Sequence, residues 1–179
     1  MIKSAVFLAS ATLVSCAEWS LVPETNSAAL MGVGAASATR AVAAASDNGS
    51  GGVLDRYDGV TWTKYSSGSG LNLDAAVLPS GVSVETTGYP ILLFDGAEHT
   101  TVSGVHGSSQ SASAVGDSFF GLVGGFLAAN STEVVDGVAY SRDAGATWKV
   151  TSPIPTDTFA RYGAFPSSDT WYVSCGMWG

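Results

Sequence analysis

The side chains that could do chemistry in this chain are few and widely spaced. Glu85, Asp117 and Asp169 lie outside the turn sequences that recur along the chain, and two such carboxylates are the minimum for hydrolysing a glycosidic bond. Only two histidines, His99 and His106, could serve a nucleophile-activating triad. A glycoside hydrolase that uses a pair of these carboxylates therefore stays open as an alternative.

Sharper signatures of catalysis and of cofactor binding are absent from the sequence. It contains no G-x-S-x-G, no H-E-x-x-H, no phosphate loop with a lysine and no C-x-x-C, which are the spacings that nucleophilic, zinc and nucleotide chemistry require. Gly32 to Ser37 begins like a dinucleotide loop but lacks its third glycine or alanine. No second metal ligand stands at a useful spacing from His99. We expect no cofactor and no metal, and the sequence identifies no catalytic residue.

The most informative stretch is a polar octet between two apolar runs, in which Ser141, Asp143, Gly145, Thr147 and Trp148 spell S-x-D-x-G-x-T-W. An aspartate here can accept bonds from nearby backbone N–H groups, and a glycine can adopt the positive φ that a tight turn needs. The tryptophan begins the return strand with a large apolar face. The octet thus predicts a hairpin with a structural Asp143.

Imperfect copies of this octet recur along the chain. Asp58, Gly59, Thr61 and Trp62 form a copy with one residue fewer between the aspartate and the tryptophan, and Asp95 to His99 form a weaker one. Trp19 resembles the end of another copy. The anchors at positions 19, 62, 99 and 148 lie 43, 37 and 49 residues apart, which fits a four-stranded propeller blade of about 40–50 residues.

The S-x-D-x-G-x-T-W spelling resembles the Asp-box, or BNR repeat, of β-propellers such as sialidases, sortilin-type receptors and photosystem II assembly-factor-like proteins. The resemblance implies that the hairpin joins the third and fourth strands of a blade at the outer rim, where the box residues are structural. The F/Y-R-I-P signature of sialidases is absent, and Arg56 and Arg142 lie inside boxes. The resemblance leaves a sialidase-like hydrolase and an assembly factor for a membrane complex as alternatives.

The rest of the chain favours an all-β fold, since it has 22 glycines, 46% apolar residues and only 12% charged residues. We expect Arg40 to Ala44 to be a strand despite its alanines, the serine-rich run from His106 to Ser113 to be a surface connection, and Phe119 to Leu127 to be an inner strand. A fourth repeat begins at Phe159, and Trp171 to Cys175 is its second strand. The prediction is an open, incomplete β-propeller of about three and a half four-stranded antiparallel blades, in which C-terminal blades are missing.

The first 17 residues read as a secretory signal peptide, followed by a propeller segment over residues 18–179. Lys3 supplies a positive charge, an apolar run follows, and cleavage is expected after Ala17. An alternative is a bacterial lipobox that leaves a lipid-anchored Cys16. After cleavage at Ala17 only Cys175 remains, so no internal disulfide can form.

The partner predicted from the sequence is a protein or a glycan. The formal net charge of −8 disfavours nucleic acid, and no apolar run is long enough for a transmembrane segment. Asn48 and Asn130 begin N-x-S/T sequons in predicted turns, and such positions are typical of glycosylated surface loops. The leading hypothesis is a secreted, non-enzymatic binding module.

Overall fold

The computed structural model of the chain describes residues 7–9, 19–21, 29–47, 51–67, 71–87, 91–127, 132–155 and 158–176. All the regular structure in these ranges is strand. The strands are β1 Phe7–Ala9, β2 Trp19–Leu21, β3 Ala29–Ser37, β4 Arg40–Asp47, β5 Gly51–Tyr57, β6 Trp62–Ser66, β7 Asn72–Val77, β8 Ser83–Thr87, β9 Leu92–Phe94, β10 His99–Thr101, β11 Gly107–Val115, β12 Phe119–Leu127, β13 Val134–Ser141, β14 Lys149–Val150, β15 Ala160–Ala164 and β16 Tyr172–Cys175.

Neighbours in sequence pair antiparallel into three four-stranded sheets, β3 to β6, β7 to β10 and β11 to β14, which we name blades 1, 2 and 3. Strands β15 and β16 form a two-stranded sheet, the half-blade, and β1 pairs with β2. The first strands of blade 2, blade 3 and the half-blade each pack on the preceding blade: β7 on β3 and β4, β11 on β7 and β8, and β15 on β11 and β12. The prediction of an all-β fold with about three and a half antiparallel blades is therefore confirmed for the described residues.

The anchor residues of the sequence period occupy one structural position. Trp62 and His99 are the first residues of β6 and β10, the fourth strands of blades 1 and 2. They pair with Tyr57 and Phe94, the last residues of the third strands. Trp148 immediately precedes β14, the fourth strand of blade 3. One sequence period thus corresponds to one blade, even where the anchor is a histidine.

One sequence prediction about blade 3 is wrong and another is confirmed. The serine-rich run is not a surface connection, because Gly107–Val115 is the first strand of the blade, β11. Phe119–Leu127 is β12, an inner strand that pairs with both β11 and β13 and is mostly buried. Ser109 is fully buried and its hydroxyl donates to the carbonyl of Val123. Small side chains suit the crowded inner position, and their hydroxyls find backbone partners there, which hydropathy alone does not reveal. The prediction that Arg40 to Ala44 is a strand is confirmed by β4.

Apolar clusters fill the spaces between successive blades. Phe94 packs with Val42 and Leu54 between blades 1 and 2, and Phe120 and Phe126 belong to the cluster between blades 2 and 3. Glycines allow the close approach of the inner strands. A Cβ added at Gly34 of β3 would lie 2.6 Å from the carbonyl oxygen of Ala75 in β7.

Candidate functional site

The turn from Ser141 to Trp148 satisfies its polar groups internally. One carboxylate oxygen of Asp143 accepts the N–H of Thr147 and the hydroxyl of Ser141, both at 2.8 Å, and the other accepts the Thr147 hydroxyl at 2.6 Å. The bonds from the Thr147 hydroxyl and N–H, with that from Ser141, lower the pKa of Asp143 from 3.8 to about 2. The carboxylate is exposed, but its bonds all stay within the turn.

The same turn is bound to its surroundings by Gly145 and Trp148. Gly145 has φ +94°, as the sequence predicts, and a Cβ there would lie 2.6 Å from the Leu93 side chain of blade 2. The indole N–H of Trp148 donates to the Gly145 carbonyl at 2.9 Å, and its ring stacks on Phe120 at 6.2 Å between centroids. The turn thereby joins blades 2 and 3.

The shorter copies repeat the aspartate bonds only in part. Asp58 accepts the N–H groups of Val60 and Thr61 at 2.9 and 2.8 Å, and backbone bonding, first from Thr61, lowers its pKa. Gly59 has φ +102°. The buried indole N–H of Trp62 has no partner among the described residues. The missing residue between Asp58 and Trp62 thus coincides with the loss of the bond that Trp148 makes.

In blades 1 and 3, an arginine one or two residues before the turn aspartate contacts the first turn of the next sheet. Arg56 donates to the Gly81 carbonyl at 2.7 Å and its guanidinium lies 4.7 Å from the centre of the Phe94 ring. Arg142 donates to the Ser168 carbonyl at 3.0 Å and pairs with Asp169 at 2.9 Å. Arg56 and Arg142 therefore link adjacent sheets through these contacts.

His99 belongs to a polar cluster between blades 1 and 2. Its Nε2 lies 2.6 Å from one carboxylate oxygen of Glu85, and the other oxygen accepts the Asn72 amide at 2.7 Å. Asn72 also donates to the Val53 carbonyl of blade 1. Glu85 and Asn72 are fully buried. Sequence reasoning missed this pairing, because nothing in the separation of 14 positions between Glu85 and His99 indicates it.

Of the three carboxylates that left a glycosidase open, Asp117 and Asp169 do not share a site with Glu85. Glu85 is buried against blade 1, whereas Asp117 and Asp169 lie in the first turns of blade 3 and of the half-blade. Asp169 is paired with Arg142. Within the described ranges, no group of three or more histidine, cysteine or acidic side chains could hold a metal ion.

A cavity of about 710 Å³ opens between blade 3 and the half-blade. Apolar side chains line it from three strands or their ends: Leu127, Val134 and Phe159. Val134 and Phe159 are 61% and 59% exposed. The charged groups at the cavity are Asp136 and Arg161. Its volume falls within the range of about 300–1,000 Å³ typical of ligand sites.

The cavity exists because the half-blade covers only part of the blade 3 face. Phe165 and Trp171 pack against Phe119 and its neighbours at one end of that face. At the other end, Leu127 pairs with Val134 and Gly125 pairs with Asp136, and these residues remain at the cavity. Sequence reasoning missed this site, since its residues come from four strands or loops without a common motif.

Several predicted features fall outside the described residues: Asn48, Asn130, Cys16 and the cleavage position after Ala17. Cys175 is a free, exposed thiol. Among the described residues, no helix has the length and apolar character needed to cross a bilayer.

Comparison with known proteins finds only weak structural similarity. No protein-family model matches the chain, and no curated protein matches it. A solved structure described as "YCF48 bound to D1 peptide" is similar with a TM-score of 0.41 and 12% identity, over 87% of this chain and 64% of that one. The chain thus spans less than two thirds of that structure. The assignment of the fold accordingly rests on the strand order and packing of the chain itself.

Proposed function

We propose that this protein is a non-enzymatic binding module, whose cavity between blade 3 and the half-blade holds a segment of a protein partner. The cavity is the observation that carries the proposal, because it combines a ligand-sized volume with exposed apolar walls. Exposed apolar surface at a concave site is typical of recognition. The buried Glu85 and the internally bonded Asp143 are not placed to act on a substrate.

We also propose that the recurring turns are Asp-boxes with a structural role. Their carboxylates bond to their own turns, so these residues hold the hairpins of blades 1 and 3 in shape. The residues assigned to this role are Ser141, Asp143, Gly145, Thr147 and Trp148 in blade 3, and Asp58, Gly59, Thr61 and Trp62 in blade 1.

Selection from a displayed random-peptide library on the purified protein tests the binding function. Peptides that bind the wild type should bind Val134→Asp at least about tenfold more weakly, because a carboxylate is costly to desolvate against an apolar ligand. Val60→Asp is the matched control, since Val60 is 84% exposed and lies in the blade 1 turn, away from the cavity. Equal binding by Val134→Asp, or no enriched peptide, would exclude this site.

Glycans and glycosides test the other classes of function on the same protein. Binding to an array of glycans without peptide binding would replace the protein partner with a carbohydrate. Steady turnover of aryl-glycoside or sialoside substrates would replace the binding module with a hydrolase.

Secretion is a further proposal, supported by the charge and apolar pattern of residues 1–17. The mass of the mature protein tests it, because cleavage after Ala17 leaves Glu18 at the N-terminus. A diacylated Cys16 would instead indicate a lipid anchor. A mass shift on treatment with an N-glycosidase would identify Asn48 or Asn130 as glycosylated.

A further inference from the structure

We infer that the segment recognised by the cavity between blade 3 and the half-blade is an extended peptide with a large apolar side chain next to a cationic one. This inference rests on the proposed binding function and specifies its ligand. The apolar part follows from the walls and the cationic part from the charges at the cavity.

The walls select a large apolar side chain. Leu127 and Val134 are cross-strand neighbours on β12 and β13, and Phe159 faces the cavity from the segment before β15. More than half of the Val134 and Phe159 surface is exposed without a ligand. An aromatic or branched side chain between these walls would remove the Val134 and Phe159 side chains from water. Burial of apolar surface is the main favourable term in such recognition.

The floor suits an extended backbone. Gly125 pairs with Asp136 on the face of β12 and β13 that lines the cavity, and it carries no side chain. A Cβ there would already lie 3.0 Å from the Val134 side chain. A glycine in a strand interior marks a place where another chain can approach closely.

Asp136 selects the cationic neighbour. Its carboxylate makes no hydrogen bond or ion pair with any residue of the described ranges, so it can pair with a ligand. The opposing charge, Arg161, is held through its Nε by the Gly176 carbonyl at 2.9 Å. The net charge of −8 favours the approach of a cationic partner at long range.

Binding of blocked hexapeptides tests the inference. The probes are Gly-Gly-Phe-Lys-Gly-Gly and its Phe-Glu, Phe-Gln and Ala-Lys versions, each with a neutral N-terminal dye, followed by fluorescence anisotropy. We expect the Phe-Lys peptide to bind at least about tenfold more tightly than the Phe-Glu and Ala-Lys peptides, and its affinity to fall with added salt.

Variants assign the effect to the cavity. Asp136→Asn should weaken the Phe-Lys peptide about tenfold and leave the Phe-Gln peptide unchanged. Val134→Asp should weaken the Phe-Gln peptide, and Val60→Asp should change neither. Circular dichroism melting of each variant confirms that it is folded.

The outcomes separate this inference from the function on which it rests. Equal affinity for the Phe-Lys, Phe-Gln and Phe-Glu peptides, lost in Val134→Asp, would overturn the cationic preference and keep the binding site. Preference for Phe-Glu would assign recognition to Arg161 and overturn the inference. If neither these probes nor library peptides bind, the proposed function itself fails.

Discussion

At the scale of single residues, the two tryptophans that follow these turns differ in how the indole N–H is bonded. Trp148 and Trp62 hold equivalent places at the start of the fourth strand, but only Trp148 donates to a carbonyl of its own turn. The turn that begins at Asp58 has one residue fewer. Each tryptophan must still bring its polar N–H into a partly buried position, since its ring supplies the packing.

The stacking of Trp148 on Phe120 leads to a stability prediction. Trp148→Ala should lower the free energy of unfolding by about 3 kcal/mol, because it removes the ring from the cluster between blades 2 and 3. Trp148→Phe should lose only about 1 kcal/mol, chiefly the bond to Gly145. Urea denaturation measures both. Unchanged midpoints would show that the ring contributes no stability.

Asp143 makes the stability of the fold decrease at low pH. Its pKa in the folded protein, about 2, lies below the ordinary 3.8, so its bonds stabilise the fold above about pH 4 and are lost as pH falls through about 2. Asp143→Asn should therefore destabilise the protein at neutral pH and much less near pH 2.

Urea denaturation of the wild type and Asp143→Asn at the two pH values measures this difference. Gly145→Ala is the control, because it strains a φ of +94° without removing a titrating group. A deficit for Asp143→Asn that is the same at both pH values would contradict the prediction.

At the scale of elements, the β5–β6 and β13–β14 hairpins connect neighbouring sheets through arginines. Arg56 lies over the Phe94 ring and reaches Gly81, both in blade 2. Arg142 reaches Ser168 and Asp169 in the half-blade, but its side chain is 50% exposed and that of Asp169 is 77% exposed. Equivalent links therefore differ in how well they are shielded from water.

This difference predicts unequal effects of one substitution. Arg56→Met should destabilise the protein by about 2 kcal/mol, since a charge-assisted bond and a ring contact are both lost. Arg142→Met should change stability by less than about 1 kcal/mol, because water and salt screen the exposed pair. Denaturant midpoints test the order, and a larger effect at Arg142 would reverse it.

At the scale of the whole molecule, two faces of the described sheets are only partly covered, one on blade 1 and one on the half-blade. Met31 and Val33 of β3 are exposed at one end, and Tyr162 and Tyr172 of the half-blade are exposed at the other. Strand β16 pairs only with β15 in the described sheet. Such an edge offers unpaired backbone groups and apolar surface to other chains.

Hydrogen exchange should report this uneven protection. Strand β12 is paired on both sides, so its amides should exchange at least about 100-fold more slowly than those of β16. Mass spectrometry of peptic fragments measures the contrast. Equal protection through Cys175, in a protein that is monomeric by sedimentation, would indicate that the half-blade is covered and refute the open arc.

The sequence alone determined the blade period and the hairpins at the aspartate-containing turns. Local chemistry is sufficient there, because an aspartate, a glycine and a tryptophan at fixed spacing act within a few residues of one another. The sequence also indicated strand rather than helix at β4, because the turn cluster that follows it leads into another strand and a copy of the octet. Its error lay at β11, where buried serines have the hydropathy of a surface loop.

Only the tertiary structure decided where the cavity lies. Leu127, Asp136 and Phe159 come together because the half-blade covers one end of the blade 3 face and leaves the other open. The pairing of His99 with Glu85 likewise depends on how β8 and β10 lie in blade 2. These contacts join residues distant in sequence across sheets, and their geometry is set by how blades pack, which no local spacing encodes.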